Sequence, residues 1–358
     1  MSTRASSPLL LATSVATLAL AACGSDDEAT PTDAGLTLDL GVGDAGAAGS
    51  DVGTTDGGAT AADAGSDAGV LPDAGNTMTQ CVATPGTITR PASCPSSAGY
   101  YQYIESTVTI AGAGEEGASA QVCVTPNEGG LACLPPVGTC MDGTWFLELA
   151  EEYRCMDRMV LNVGKSSRNG GQVYASTFCL LPLTGEGVLR SESSIELYPV
   201  DPDTSKPALG DPETARTLDL QDGVQITMTP SEIVGCYAIV PDSCSMYDDF
   251  GVRKLTSSDA TPCFVDSANP PDAIYATSLA YDVDGEGWDV RMDNTENLAP
   301  GTTVDMYVLG AIECHLANGT EIVEGEWTKS GTAQVSSDGQ YIEGGKLPCV
   351  SWFGYKAQ

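Results

Sequence analysis

The sequence has almost no histidine and lacks the short motifs of common hydrolase and nucleotide sites. Its single histidine is His315, beside Cys314, and one histidine cannot supply the ligand set of the usual zinc hydrolases. The Gly-x-Ser-x-Gly pattern of a nucleophile elbow does not occur. The nearest approach to a phosphate-binding loop, Gly164-Lys165-Ser166, has Met159 where the pattern needs a glycine. We therefore expect a protein that is not an enzyme.

Positive charge and aromatic residues are also scarce. The 358 residues include 15 basic and 49 acidic side chains, for a formal charge of -34. Such a surface repels phosphate backbones, which excludes nucleic acid as a partner. Aromatic residues make up 6% of the chain and glycines number 41. This composition favours turn-rich β structure over a large helical core.

One apolar run is present, and it is short. It extends from Leu9 to Ala21 after Arg4, which is typical of a secretory signal and falls short of the about 20 residues of a membrane-spanning helix. Its end, Leu20-Ala21-Ala22-Cys23, resembles the lipobox of a bacterial lipoprotein. The resemblance implies that residues 1–22 are removed and that Cys23 carries a diacylglycerol and an acyl chain such as palmitate. Gly24 in place of a retention Asp implies the outer membrane. The alternative is an ordinary signal peptide that ends near a cysteine.

Residues 23–79 have the composition of a disordered, lipid-anchored linker. Asp-Ala-Gly recurs, and residues 24–79 contain no Lys, Arg or aromatic residue. Such a segment cannot bury enough apolar surface to offset the entropy of ordering it. The recurring units begin at Asp33, Asp44, Asp63, Asp67 and Asp73.

Twelve of the 13 cysteines remain after Cys23. An even number in an exported chain predicts disulfide bridges, with a metal or reactive-thiol site as the alternative. Seven lie before a Pro- and Asp-rich joint near Pro202 and five lie after it. Complete pairing therefore requires at least one bridge across the joint. The candidates are Cys81, Cys94, Cys123, Cys133, Cys140, Cys155, Cys179, Cys236, Cys244, Cys263, Cys314 and Cys349.

Short β-rich runs separated by Asp-Gly and Asn-Gly dipeptides follow the linker. These dipeptides accept the positive φ of tight hairpin turns. One example, Asp222-Gly223, lies between the alternating runs Thr217–Leu220 and Val224–Met228. We predict an all-β fold of two small disulfide-stapled β-sandwich modules, residues 80–201 and 202–358, after the acidic tether.

The first module resembles a carboxypeptidase regulatory-like domain. Residues 106–110, a glycine turn at 112–117 and residues 118–124 are similar to its opening hairpin, and residues 139–149 are similar to its Thr-Asp-x-x-Gly-x-Phe strand entry, with Cys140 in place of the Asp. The resemblance implies a small transthyretin-like β-sandwich. It also implies a structural or binding role, because the family brings no catalytic residues.

One carboxylate array has a spacing that suits Ca²⁺. Asp282, Asp284, Glu286 and Asp293 take the first, third, fifth and twelfth positions of an EF-hand-like loop, with Gly287 at the sixth. The alternative is a plain β-hairpin tip. We keep a weak Ca²⁺ site as a hypothesis and otherwise expect no cofactor.

Two aromatic clusters, residues 100–103 and 352–355, either stack on a sugar or protein partner or pack a core. Together these features predict a protein of the cell envelope that faces the periplasm or the cell surface. We expect it to be held to the membrane by its lipid and to have a structural or binding role toward a protein or glycan. The alternatives are a Ca²⁺-dependent adhesion module and a carbohydrate-active hydrolase.

Overall fold

The computed structural model describes residues 86–358, apart from 128–129, 166–171, 184, 192–193, 209, 237–246, 248–249 and 312–313. The described residues belong to one compact unit, Pro72–Gln358. The predictions for the signal peptide, for Cys23 and its tether, and for Cys81 and Cys244 fall outside the described residues.

Strands make up the regular structure of the described residues. These residues contain three single-turn 3₁₀ helices, Glu151–Tyr153, Gln221–Gly223 and Pro230–Glu232, and no α-helix. The all-β prediction is therefore confirmed. Within the same residues, no helix has the length and apolar character needed to cross a membrane.

We call residues 86–201 the first lobe and residues 202–358 the second lobe, because each described sheet draws its strands from one side of that division. The division agrees with the predicted domain boundary, which itself stays a prediction because both lobes lie in one compact unit. The strands of the first lobe are β1 (Gly99–Ile110), β2 (Ala113–Gly114), β3 (Ser119–Pro126), β4 (Ala132–Cys133), β5 (Val137–Gly138), β6 (Thr144–Glu148), β7 (Cys155–Gly164), β8 (Val173–Tyr174), β9 (Thr177–Leu180), β10 (Glu186–Arg190), β11 (Ile195–Glu196) and β12 (Pro199–Val200).

A mixed sheet of ten strands, with the central order β10-β1-β7-β3-β4, forms most of the first lobe. β1 is parallel to β10 and antiparallel to β6 and β7. The predicted hairpin between residues 106–110 and 118–124 is wrong, because β7 lies between β1 and β3. The apolar run of β7, which includes the buried Met159, Val160 and Leu161, explains this central place.

The second lobe contains the longer continuous sheet. Nine strands follow the order β13-β14-β19-β22-β21-β20-β24-β17-β16, and β15, β18 and β23 form a small separate sheet. The strands are β13 (Arg216–Asp219), β14 (Val224–Met228), β15 (Ile233–Cys236), β16 (Val252–Lys254), β17 (Ala273–Thr277), β18 (Tyr281–Val283), β19 (Trp288–Asp293), β20 (Thr303–Leu309), β21 (Trp327–Val335), β22 (Tyr341–Leu347), β23 (Cys349–Val350) and β24 (Phe353–Ala357).

Local sequence explains the first hairpin of this sheet. β13 and β14 pair antiparallel, with Leu218 opposite Ile226, and both side chains are buried. Asp222 and Gly223 in the connecting turn have φ values of 56° and 69°, which an Asp-Gly dipeptide accepts. The predicted hairpin is confirmed.

The nine-stranded sheet curls until its two edges approach each other. β13 is one edge strand and β16 is the other. Asp222, in the turn after β13, accepts a hydrogen bond from the backbone N–H of Lys254 on β16 at 2.6 Å. A side chain at one edge thus accepts a hydrogen bond from the backbone of the opposite edge strand. This backbone N–H is then not open to pairing with another chain.

A shared apolar cluster, here called the junction core, joins the two lobes. The first lobe contributes Phe178, Tyr198 and neighbouring residues, and the second contributes Leu309, Trp352 and three alanines. The Tyr198 and Trp352 rings meet edge to face, with centroids 5.0 Å apart. The indole N–H of Trp352 also donates to the Ser176 carbonyl at 2.8 Å.

Four disulfide bridges join described cysteines. Cys94–Cys155 and Cys123–Cys133 lie within the first lobe, and Cys314–Cys349 lies within the second. Cys179–Cys263 crosses between the lobes, as the odd cysteine counts predicted. Cys140 is also disulfide-bonded, and Cys236 ends β15.

Candidate ligand-binding cleft

An open cleft of about 390 Å³ lies in the second lobe, beside the junction between the lobes. Three aromatic rings line it, from Phe264, Tyr307 and Trp327. Ligand sites in proteins are typically concave, with apolar walls and a few polar groups that orient the ligand. This cleft has both features.

Adjacent strands place two of the rings. β20 and β21 pair so that Leu309 lies opposite Trp327, which puts Tyr307 and Trp327 on one face because side chains alternate along a strand. Their rings are nearly parallel, at 5° and 6.1 Å between centroids. The sequence separates the two residues widely, and only the pairing of β20 with β21 brings them together.

The third ring comes from a loop. Phe264 stacks on Trp327 with centroids 5.3 Å apart and meets Trp352 of the junction core edge to face at 5.2 Å. Phe264 follows Cys263, whose bridge to Cys179 ties the loop to β9 of the first lobe. The position of this wall therefore depends on the first lobe.

Charged and amide groups surround the rings. Asp266 and Glu326 are exposed at the cleft. The Lys356 ammonium group donates to the Asn269 side-chain oxygen and to the Pro270 carbonyl, the latter at 3.1 Å. Lys356 thus uses two of its three N–H donors within the protein, whereas the two carboxylates only accept hydrogen bonds.

Gly325 allows the lobes to approach each other at the base of the cleft. Its φ is 76°, and a Cβ at this position would lie 2.8 Å from the backbone nitrogen of Leu180. Only glycine combines this backbone conformation with this close approach. Leu180 is itself 40% exposed and contributes apolar surface to the cleft.

Three carboxylates of the calcium hypothesis point to different places, and the fourth, Asp282, lies on β18. Glu286 lies 3.7 Å from the Lys346 ammonium group, and Asp284 accepts the N–H of Gly285. Asp293 is at the far end of β19, beside Gly223. Among the described residues, no group of three His, Cys, Asp or Glu side chains is placed to hold a metal ion.

The other candidates from the sequence occupy structural positions. Cys314 is bonded to Cys349, so it is not a nucleophile, and the neighbouring His315 forms a backbone bridge with Glu321. Trp352 and Tyr101 are fully buried. The two aromatic clusters seen in the sequence thus pack cores, and Tyr103 at the edge of the first contacts Phe146.

Comparison with known proteins adds little to this geometry. No protein-family model matches the chain, and no curated protein matches it. Among solved structures, a crystal structure of the major pilin subunit of Bacillus cereus is weakly similar, with a TM-score of 0.17 and 9% identity over 69% of this chain and 85% of that one. A likeness at this level supports no conclusion about fold or function.

Proposed function

We propose that this chain is a lipid-anchored binding protein of the bacterial cell envelope. The acidic tether holds the two-lobed body away from the membrane, and the cleft of Phe264, Tyr307 and Trp327 takes the ligand. The observation that carries the proposal is the convergence of three stacked rings at an open cleft with a polar rim. Partly exposed aromatic surface of this kind is typical of recognition sites.

The exposure of the tryptophans supports the same assignment. The chain has four of them. Trp145, Trp288 and Trp352 are at most 2% exposed, whereas Trp327 is partly exposed at the cleft. Burial in a core accounts for the first three, and ligand binding accounts for the solvent-accessible surface of the fourth.

Tryptophan emission tests the cleft directly. We expect solubilised envelope fractions to shift the emission of the full-length protein and to shield Trp327 from acrylamide, because the other three tryptophans are already shielded. The Trp327→Phe variant should lose this response. A response that persists in this variant would show that the ligand binds elsewhere.

The anchor has its own test. Labelled palmitate should be incorporated into the wild-type protein and not into Cys23→Ser, and the variant should leave the membrane fraction. Label on the serine variant would contradict the lipid assignment. We also expect bound oligosaccharides to remain intact, and cleavage products would favour the hydrolase alternative.

A further inference from the structure

The cleft presents two kinds of surface that one ligand has to match. Its floor is apolar, because the Tyr307 and Trp327 rings stack nearly parallel to each other there. Its rim carries the exposed carboxylates of Asp266 and Glu326. A purely apolar ligand that covered the rim would desolvate these carboxylates and offer them no hydrogen bonds, which is unfavourable.

The charge of the protein further restricts the class of ligand that the cleft can bind. The chain has a formal charge of -34, and its two rim carboxylates repel anions, so phosphate-rich and other polyanionic ligands are disfavoured. Ionised carboxylates only accept hydrogen bonds. The ligand therefore has to donate hydrogen bonds, and hydroxyl and amide groups around an apolar face meet this requirement.

The strands beneath the cleft offer no free edge to which an extended peptide could add as a further strand. Peptides commonly bind by adding a strand to a free sheet edge. β20 pairs with β21 and β24, and β21 pairs with β20 and β22, so neither is an edge strand. A ligand in the cleft is therefore recognised by side chains.

We propose that the cleft is a saccharide-binding site. A pyranose ring packs its C–H face against the solvent-accessible parts of the Tyr307 and Trp327 rings, and its hydroxyl groups donate hydrogen bonds to Asp266 and Glu326. Phe264 closes the third side of the ring site. This inference rests on the proposed function, since it names the class of ligand that the cleft takes.

The test uses the full-length protein in detergent and oligomers of N-acetylglucosamine and of glucose as probes. We expect a saturable shift in Trp327 emission with at least one of the two series, and heat of binding by calorimetry. Tyr307→Ala keeps Trp327 as the reporter and should weaken binding by about tenfold, because one stacked aromatic contact is lost. Glu326→Gln should weaken binding by a smaller factor, since an amide oxygen still accepts.

Met141→Ala is the matched control. Met141 is 78% exposed and lies outside the cleft lining, so its removal should leave saccharide binding unchanged. Equal losses in Met141→Ala and Tyr307→Ala would overturn the proposal, because the effect would then not come from the cleft.

Two further outcomes separate the ligand class from the binding function. If an envelope fraction or a proline-rich peptide shifts Trp327 emission and neither oligosaccharide series does, the saccharide assignment is wrong and the proposed function stands. If none of these probes changes the emission of Trp327, both are wrong.

Discussion

The two lobes have the same all-β composition but are stabilised differently. The first lobe has many short strands, such as β2, β4 and β5, and two internal bridges between its described cysteines, Cys94–Cys155 and Cys123–Cys133. The second has a continuous nine-stranded sheet around a larger apolar core, and Cys314–Cys349 is the internal bridge between its described cysteines. Where short strands bury less apolar surface, cross-links that restrict the unfolded chain compensate.

Three kinds of interaction connect the lobes at the junction. The junction core supplies apolar burial, and Cys179–Cys263 supplies a covalent link. Arg158 and Glu324 supply an ion pair at 2.8 Å, in which the Glu324 side chain is 6% exposed. This combination indicates that the lobes unfold together. The shape of the cleft beside the junction therefore depends on the contact between the lobes.

The largest expected effect comes from the interlobe bridge. Replacing both Cys179 and Cys263 by Ser removes a cross-link of sequence separation 84, which the chain-entropy model equates with about 4–5 kcal/mol of unfolding free energy. We expect a single calorimetric transition to separate into two. The control is the double replacement of Cys123 and Cys133, whose separation is 10, at a cost of about 2–3 kcal/mol. An unchanged single transition would show that the junction core alone couples the lobes.

The next effect tests the close approach of the lobes. Gly325→Ala should cost about 2–4 kcal/mol, because it adds a steric clash with Leu180 to the strain of a positive φ. Gly319→Ala is a matched control, since Gly319 has a φ of 79° with nothing within 4 Å of an added Cβ, and it should cost about 1–2 kcal/mol. Chemical denaturation measures both. Equal costs would mean that the clash is relieved by movement of the lobes.

Alkaline pH should lower the free energy of unfolding by about 1 kcal/mol per pH unit for each buried tyrosine. Burial raises the pKa of Tyr355 from 10.0 to about 12, and burial also raises the pKa of Tyr275. Both lie in the second lobe, and burial also raises the pKa of Tyr101 and of Tyr198 in the first lobe. Above the unfolded value of 10.0 the unfolded chain loses protons that the folded chain retains, so stability falls as pH rises. Tyrosinate absorbance and circular dichroism should change together, and tyrosines that titrate before unfolding would contradict this.

The smallest effect concerns the ion pair at the junction. Glu324→Gln should cost about 1 kcal/mol, because Arg158 is 28% exposed and water compensates for part of the lost charge. Removal of the exposed pair of Lys346 with Glu286, by Glu286→Gln, should cost less. Thermal unfolding checks both variants, and equal shifts would show that burial of Glu324 adds nothing.

Much of the strand content follows from local sequence. The alternating runs on either side of Asp222-Gly223 are confirmed as strands, because hydrophobic period and turn residues act over a few positions. The order of the strands in the sheet is harder to predict from the sequence, as the wrong hairpin between β1 and β3 shows. Pairing depends on which long apolar strand takes the centre of the sheet, and nearby residues do not contain that information.

The candidate site could not be found by motif. Phe264, Tyr307 and Trp327 have no shared spacing, and the more conspicuous aromatic clusters at 100–103 and 352–355 pack cores. Cysteine parity was the one long-range constraint available before folding, and it correctly required a bridge between the lobes.

The sequence by itself thus determined the β class, many of the strands and the need for an interlobe bridge. Composition, periodicity, turn dipeptides and cysteine parity are sufficient for these conclusions, because they depend on neighbouring residues or on a simple count. The tertiary structure decided the strand order, the partners of the bridges, the junction core and the aromatic cleft. These depend on side chains far apart in the chain, whose contacts exist only after β20, β21 and the loop at Cys263 are brought together by folding.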